Sequence, residues 1–121
     1  MRFLNWTATC ALVSASAFAG PIEFAFDGQQ CFHHDTPVPA NATLEICGPL
    51  PRGEVVLWKF DAGDDLALVL RAEGQSKPIE SHAASRGLRG QFVPPADGRY
   101  CWTWKNAATS PVPFAMEMEH P

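Results

Sequence analysis

Apolar residues recur at every second position along this chain, and that period limits the possible folds more than any other feature. Ile22, Phe24 and Phe26 alternate with Glu23, Ala25 and Asp27. Ala42, Leu44 and Ile46 alternate with Thr43, Glu45 and Cys47, and Val56, Trp58 and Phe60 with Leu57, Lys59 and Asp61. Leu66, Leu68 and Leu70 continue the pattern. A weaker pair of strands follows around Ile79 and across Leu88 to Val93, then Tyr100, Trp102 and Trp104, and finally Val112, Phe114, Met116 and Met118. Successive side chains of a strand point to opposite faces, so this period describes strands with one buried face; a helix would repeat at 3.6.

Turn formers separate the runs: Pro37 and Pro39, the stretch from Gly48 to Gly53, Ala62-Gly63-Asp64-Asp65, the stretch from Gly74 to Pro78, Pro94 to Gly98, and Ser110-Pro111. About eight short strands at near-regular spacing predict an all-β fold, an antiparallel jelly-roll-like β-sandwich with one disulfide. Pro111 and Pro113 bracket the start of the last strand, which is therefore expected to begin at a sheet edge, where a missing amide donor matters least.

The N-terminus sets the compartment. Met1-Arg2 supplies a positive start, a short apolar run follows, and Ala17-Phe18-Ala19 closes it with the small residues of a cleavage site. Residues 1–19 are expected to be a signal peptide and residues 20–121 a single domain. Loss of Arg2 would leave 8 basic against 13 acidic residues, a net charge of −5. With no basic stripe to neutralise phosphates or anionic headgroups, nucleic acid and charged membrane surfaces are poor partners. No later apolar stretch is long enough to cross a bilayer, so the product is expected to be secreted and soluble. Cys31, Cys47 and Cys101 then lie in an oxidising compartment, and three cysteines imply one disulfide and one leftover thiol.

Few residues suggest chemistry. His33-His34-Asp35 holds ligand types suited to zinc or copper. Neighbouring residues on a strand face opposite ways, so a metal there would need a turn and a distant third ligand such as His82; a solvated loop is the expected state, with no metal and no cofactor. No serine sits in a Gly-x-Ser-x-Gly elbow, and Cys31 is better explained as half of a disulfide than as a nucleophile paired with His33. Asp64-Asp65 reads as a capped, solvated turn. No catalytic residue is expected, and the chain is not expected to be an enzyme.

Tyr100, Trp102 and Trp104 share one strand face, as do Trp58 and Phe60. Core packing is the expected use of these rings; the competing use is an exposed stacking platform of the kind found in carbohydrate-binding modules. Asn41-Ala42-Thr43 is an N-glycosylation sequon beside a proline-rich loop, so Asn41 is expected to carry a glycan.

The order of several landmarks resembles the GOLD domain, the lumenal β-sandwich of transmembrane cargo receptors of the early secretory pathway. These are Cys31-Phe32 soon after the first strand, Val56-Leu57-Trp58-Lys59-Phe60 followed by Asp65-Leu66-Ala67-Leu68, and the run from Phe92 to Asn106 with its Gly98-Arg99-Tyr100 strand start. The resemblance spans roughly Ile22 to Glu119 and implies a jelly-roll-like sandwich that engages other proteins without catalysis. It also implies a disulfide from a cysteine near the N-terminus to the tyrosine strand. The family places the second cysteine three residues after the tyrosine, where this chain has Thr103, while Cys101 follows Tyr100 directly. A Cys31–Cys101 bond then needs a shift of about two residues, roughly 6 to 7 Å along the strand. Cys47 is a rival partner, because Cys47 and Cys101 both alternate away from the apolar stripes of their strands.

The family's receptors continue into a coiled coil and a membrane span, which are not expected here. The leading expectation is a soluble GOLD-like protein-binding module, secreted or in the early secretory lumen, with a role in cargo selection or vesicular transport. Its partners would be other proteins, including membrane-borne GOLD-domain relatives. The alternative is a secreted carbohydrate-binding or host-directed factor, and a structural or matrix protein is third. No residue stands out as a contact.

Overall fold

The alternating runs build seven strands in the computed structural model, which describes residues 20–121: β1 (Ile22–Glu23), β2 (Cys31–Asp35), β3 (Thr43–Leu50), β4 (Val56–Ala72), β5 (Glu80–Phe92), β6 (Gly98–Lys105) and β7 (Phe114–Glu119). The expected signal peptide lies outside the described residues. The strands form one curled sheet in the order β1-β3-β6-β4-β7-β2, with β5 on the other edge of β4. All pairings are antiparallel except the short one between β1 and β3. The all-β, disulfide-bonded sandwich-like fold expected from the alternation is what the chain adopts.

β4 joins the two halves of this sheet. It is 17 residues long and pairs with β7 over residues 57–62 and with β6 over residues 67–72. β5 runs alongside both segments, and its register against β4 shifts between Asp61 and Leu66 and again between Leu66 and Leu68. Extra residues in a ladder bend the strand and increase its twist, so the ribbon leaves one half-sheet and enters the other at this point. Ala62-Gly63-Asp64-Asp65 is therefore an irregularity inside one strand and not the turn between two. The same ribbon fuses the runs around Ile79 and Leu88, and β2 adds a strand that the alternation did not show.

The last strand also differs from expectation. β7 lies between β4 and β2 and is not an edge. Its prolines fit because both precede the ladder: Val112, between them, exchanges backbone bonds of 3.0 and 2.8 Å with Val38, and Pro113 uses its carbonyl to accept from Gly63 at 2.9 Å.

The core receives the inward stripe of every strand. Trp58, Trp102 and Trp104 are 2%, 0% and 0% exposed, which removes them as a stacking platform. Their rings link the half-sheets: Trp102 stands edge-on to Phe24 and Phe92 at 5.9 and 5.8 Å, and Trp104 edge-on to Phe60 and Phe114 at 5.7 and 4.8 Å. None of the three indole N–H groups has a hydrogen-bond partner. An unmade buried bond costs about 1–3 kcal/mol, whereas burying an indole contributes roughly 4–6 kcal/mol at ~25 cal/mol per Å², so packing wins. Two glycines make room for rings. A Cβ at Gly90 would sit 2.5 Å from Trp58, its partner across the β4–β5 ladder, and one at Gly48 would sit 2.7 Å from Phe24.

The disulfide joins Cys47 to Cys101 and not Cys31 to Cys101. Cys47 and Cys101 oppose each other directly in the β3–β6 register, with Cα atoms 4.1 Å apart. Cys31, on β2, is separated from β6 by β7 and β4 in the sheet order. It too is disulfide-bonded, and no cysteine among the described residues is a leftover thiol.

Candidate functional site

The outward face of the half-sheet made by β2, β7, the first half of β4 and the second half of β5 carries the molecule's unusual polar groups. In a strand whose even residues Trp58 and Phe60 enter the core, Lys59 must point the other way. The same reasoning places Glu117 between Met116 and Met118, and His33 between Phe32 and His34. Register then aligns them in one cross-strand row, His33–Glu117–Lys59–Arg89. Lys59 and Glu117 are only 5% and 7% exposed. Their charged atoms lie 3.9 Å apart, and His33 Nδ1 is 3.4 Å from the other Glu117 oxygen. Burial pushes the Lys59 ammonium pKa down, and Arg89 adds to this, while Glu117 and Asp61 oppose it.

The adjacent outward row is Asp35–Ala115–Asp61–Gly87. Small side chains at its second and fourth positions leave it low, and a concavity opens at each side of Asp61. One, of about 420 Å³, is lined by Lys59, Phe60, Asp61, Arg86, Gly87, Leu88 and Arg89. The other, of about 260 Å³, is lined by Asp35, Asp61, Ala62, Gly63, Pro113, Phe114 and Ala115. Arg86 stands at the rim, 3.6 Å from Asp64 and 3.9 Å from Asp65. That pair of acids, read as a solvated turn, is thus part of the bend that frames the trough.

The residues singled out in sequence do not converge. His33-His34-Asp35 is strand and not loop: His33 meets Glu117, whereas His34 enters the core at 3% exposure with Nε2 unbonded. Burial, reinforced by the His33 charge and opposed by Asp35, holds the His34 imidazole below the ordinary histidine range. His82 is elsewhere on β5, 3.0 Å from Glu80 and edge-on to Trp58. Among the described residues the one convergent set of metal-ligand types is Glu45, Cys47 and Cys101. The disulfide uses both sulfurs, which leaves no thiolate to bind an ion.

Asn41 is exposed, with φ of 54°, a left-handed conformation that asparagine tolerates, and it leads into β3. Asn106 of the aromatic-x-Asn run is structural: fully buried, it donates through Nδ2 to the carbonyls of Val38, Pro39 and Ser110 at 3.0–3.1 Å. On the far half-sheet, Arg99 grips Glu23 through two bonds of 2.6 and 2.8 Å and Glu73 at 2.8 Å, and the first of these pairs holds the Glu23 carboxyl below its usual range. Among the described residues, no helix is long and apolar enough to cross a membrane.

Arg86, Arg89 and Asp61 carry no signal of a site in the sequence because each is an ordinary exposed residue on its own strand. Only the register brings them together.

No family model matches the sequence, and no curated protein matches it either. Solved structures do share the fold. PliG, a periplasmic lysozyme inhibitor of g-type lysozyme from Aeromonas hydrophila, is 16% identical with a TM-score of 0.68, over 82% of this chain and 94% of that one. The pre-peptidase C-terminal domain of a collagenase from Bacillus anthracis is 8% identical with a TM-score of 0.65, over 87% and 100%. CorA, a surface-associated copper-binding protein of Methylomicrobium album, is 11% identical with a TM-score of 0.59, over 84% and 98%. At these identities the likeness shows a shared β-fold.

Proposed function

We propose that this chain is a non-catalytic protein-binding module that acts outside the cytoplasm, docking its partner on the trough of the β2–β7–β4–β5 face. The observation that carries this reading is the pair of charged concavities on a sheet face, where strands fix the spacing of the side chains. Two structural relatives support it by what they do: one inhibits a lysozyme and the other is a surface-associated metal-binding protein. The convergent metal-ligand set being closed by a disulfide favours the first kind of partner over the second.

A lytic enzyme of the g-type lysozyme class is therefore the first target to try. Titrating purified chain into a g-type lysozyme, with calorimetry and cell-lysis rate read in parallel, is expected to give a one-to-one complex and loss of lysis. A protein partner that binds through the face of the Cys47–Cys101 disulfide, away from the trough, would contradict the reading.

The narrower affiliation with GOLD-domain receptors is an extension of the same proposal. It predicts co-purification with membrane-borne relatives of the early secretory pathway, and recovery only in the medium or the periplasm counts against it. The Cys47–Cys101 bond differs from the pairing that this resemblance implies. The carbohydrate-binding alternative has lost the feature that motivated it, since the described tryptophans are buried.

A further inference from the structure

The two concavities of the trough differ in charge, and the difference specifies what can enter them. The larger is lined by three cations, Lys59, Arg86 and Arg89, and by the carboxylate of Asp61, with Glu117 behind Lys59 at 3.9 Å and Asp64 and Asp65 beside Arg86 at 3.6 and 3.9 Å. The smaller is lined by Asp35 and Asp61 with no cation. On a chain with 13 acidic and 9 basic residues, three cations are gathered around one hollow and none around the other. The hollow cannot be filled cheaply from within: a Cβ at Gly87 would meet the Phe60 carbonyl oxygen at 3.0 Å and Asp61 Oδ1 at 3.3 Å.

A lone anion would use the basic hollow and meet repulsion from Asp61. A lone cation would use the acidic hollow and be repelled by the arginines. A ligand carrying both signs in sequence along the row satisfies both hollows. Arg86 is available for exchange, because its contacts to Asp64 and Asp65 are long and its side chain is 69% exposed; such pairs contribute little in water.

We propose that the trough recognises an extended, charge-paired segment of a partner protein, seating an acidic side chain among Lys59, Arg86 and Arg89 and a basic side chain beside Asp35 and Asp61. This rests on the reading that the partner is a protein, and it adds the chemistry by which that partner is chosen. Opposed charges on one surface supply orientation and discrimination more than bulk affinity.

The test is a nitrogen-15 NMR titration of the full chain with three capped peptides: acetyl-Glu-Gly-Gly-Lys-amide, its all-glutamate counterpart and its all-lysine counterpart. The mixed peptide is expected to shift amides of residues 59–63, 86–89 and 113–115 together, and to bind at least about threefold more tightly than either single-sign peptide. R86Q/R89Q is expected to abolish the shifts at 86–89 and weaken the mixed peptide by about threefold to tenfold. D35N, nearly isosteric and on an exposed residue that lines the smaller hollow alone, is expected to weaken the response at 113–115 and spare that at 86–89.

The proposal is overturned if the all-glutamate peptide binds as tightly as the mixed one, if the shifts fall elsewhere, or if either variant leaves binding unchanged. Its fate separates from that of the broader reading. A lysozyme or other partner that binds wild type and R86Q/R89Q equally, yet competes with other contacts on this face, sinks the inference alone. Peptides that behave as stated while no protein partner binds sink the broader reading alone.

Discussion

The two outward faces of the molecule have been given opposite tasks. Over β3 and β6 the outward positions hold a buried disulfide, with Arg99 clamping Glu23 and Glu73 close by. Over β2, β7 and the first half of β4, the corresponding positions hold His33, Glu117, Lys59 and the exposed Asp61; Lys59 and Glu117 are charges that cost energy to bury, and the covalent tie on this side is at Cys31, the first residue of β2. A shared hydrophobic interior joins the halves, so the difference is not one of core quality. One half is made hard to open, and the other presents polar groups at fixed spacing. Native proteins place recognition where local stability is lowest and scaffold elsewhere.

The sharpest way to break the comparison is to remove the staple. C47A/C101A releases a cross-link between residues 54 apart, and the loop-entropy relation gives a loss of about 4 kcal/mol, read by denaturant unfolding under non-reducing conditions. A loss well under about 1 kcal/mol would mean that the scaffold half does not depend on it.

A smaller effect comes from the ribbon that both halves share. Gly90→Val drives a side chain into the Trp58 ring and is expected to destabilise by about 2 kcal/mol, as overpacking does, with a change in near-ultraviolet tryptophan signal.

His34 sharpens the contrast through pH. The folded chain holds its imidazole pKa below the ordinary value of 6.5, so the unfolded chain takes up a proton that the folded chain resists. Stability is therefore full above about pH 6.5, falls as pH drops through that value and levels off below the folded pKa, with a slope limited to about 1.4 kcal/mol per pH unit. His34→Phe should flatten the wild-type decline between pH 7 and pH 5. An unchanged slope would place the acid sensitivity elsewhere. The smallest expected effect on stability is that of R86Q/R89Q, within about 0.5 kcal/mol, as befits exposed rim residues, even though this pair is central to recognition.

How much of this could be read in the sequence depends on which question is asked. Period two identifies the face of each residue, and the inward assignments of Trp58, Phe60, Leu66, Leu68, Leu70, Trp102, Trp104, Met116 and Met118 hold. Period two carries no information about neighbours across a ladder. Cys47 and Cys101 were both legible as outward residues, but their pairing requires the β3–β6 register. β2 was missed because Cys31-Phe32-His33-His34-Asp35 buries a histidine, which erases the alternation. The Gly63-Asp64-Asp65 run carries turn chemistry but sits in a bulged ribbon, where β5 holds the strand together across the irregularity. The trough was illegible for the same reason as the disulfide: its residues come from four strands, and only the register between them brings the rows together.

The central claim, a scaffold half whose neighbouring strands β3 and β6 are cross-linked to each other, joined to a less stable recognition half, is tested most directly by native-state hydrogen exchange resolved by residue. Amides of residues 44–47, 67–70 and 100–104 are expected to exchange only through global unfolding. Those of residues 32–35 and 85–91, on strands that pair along one edge, should exchange through smaller openings, with β2 opening more readily as pH falls. Uniform protection across both sets, or β2 protected as strongly as β6, would contradict the account.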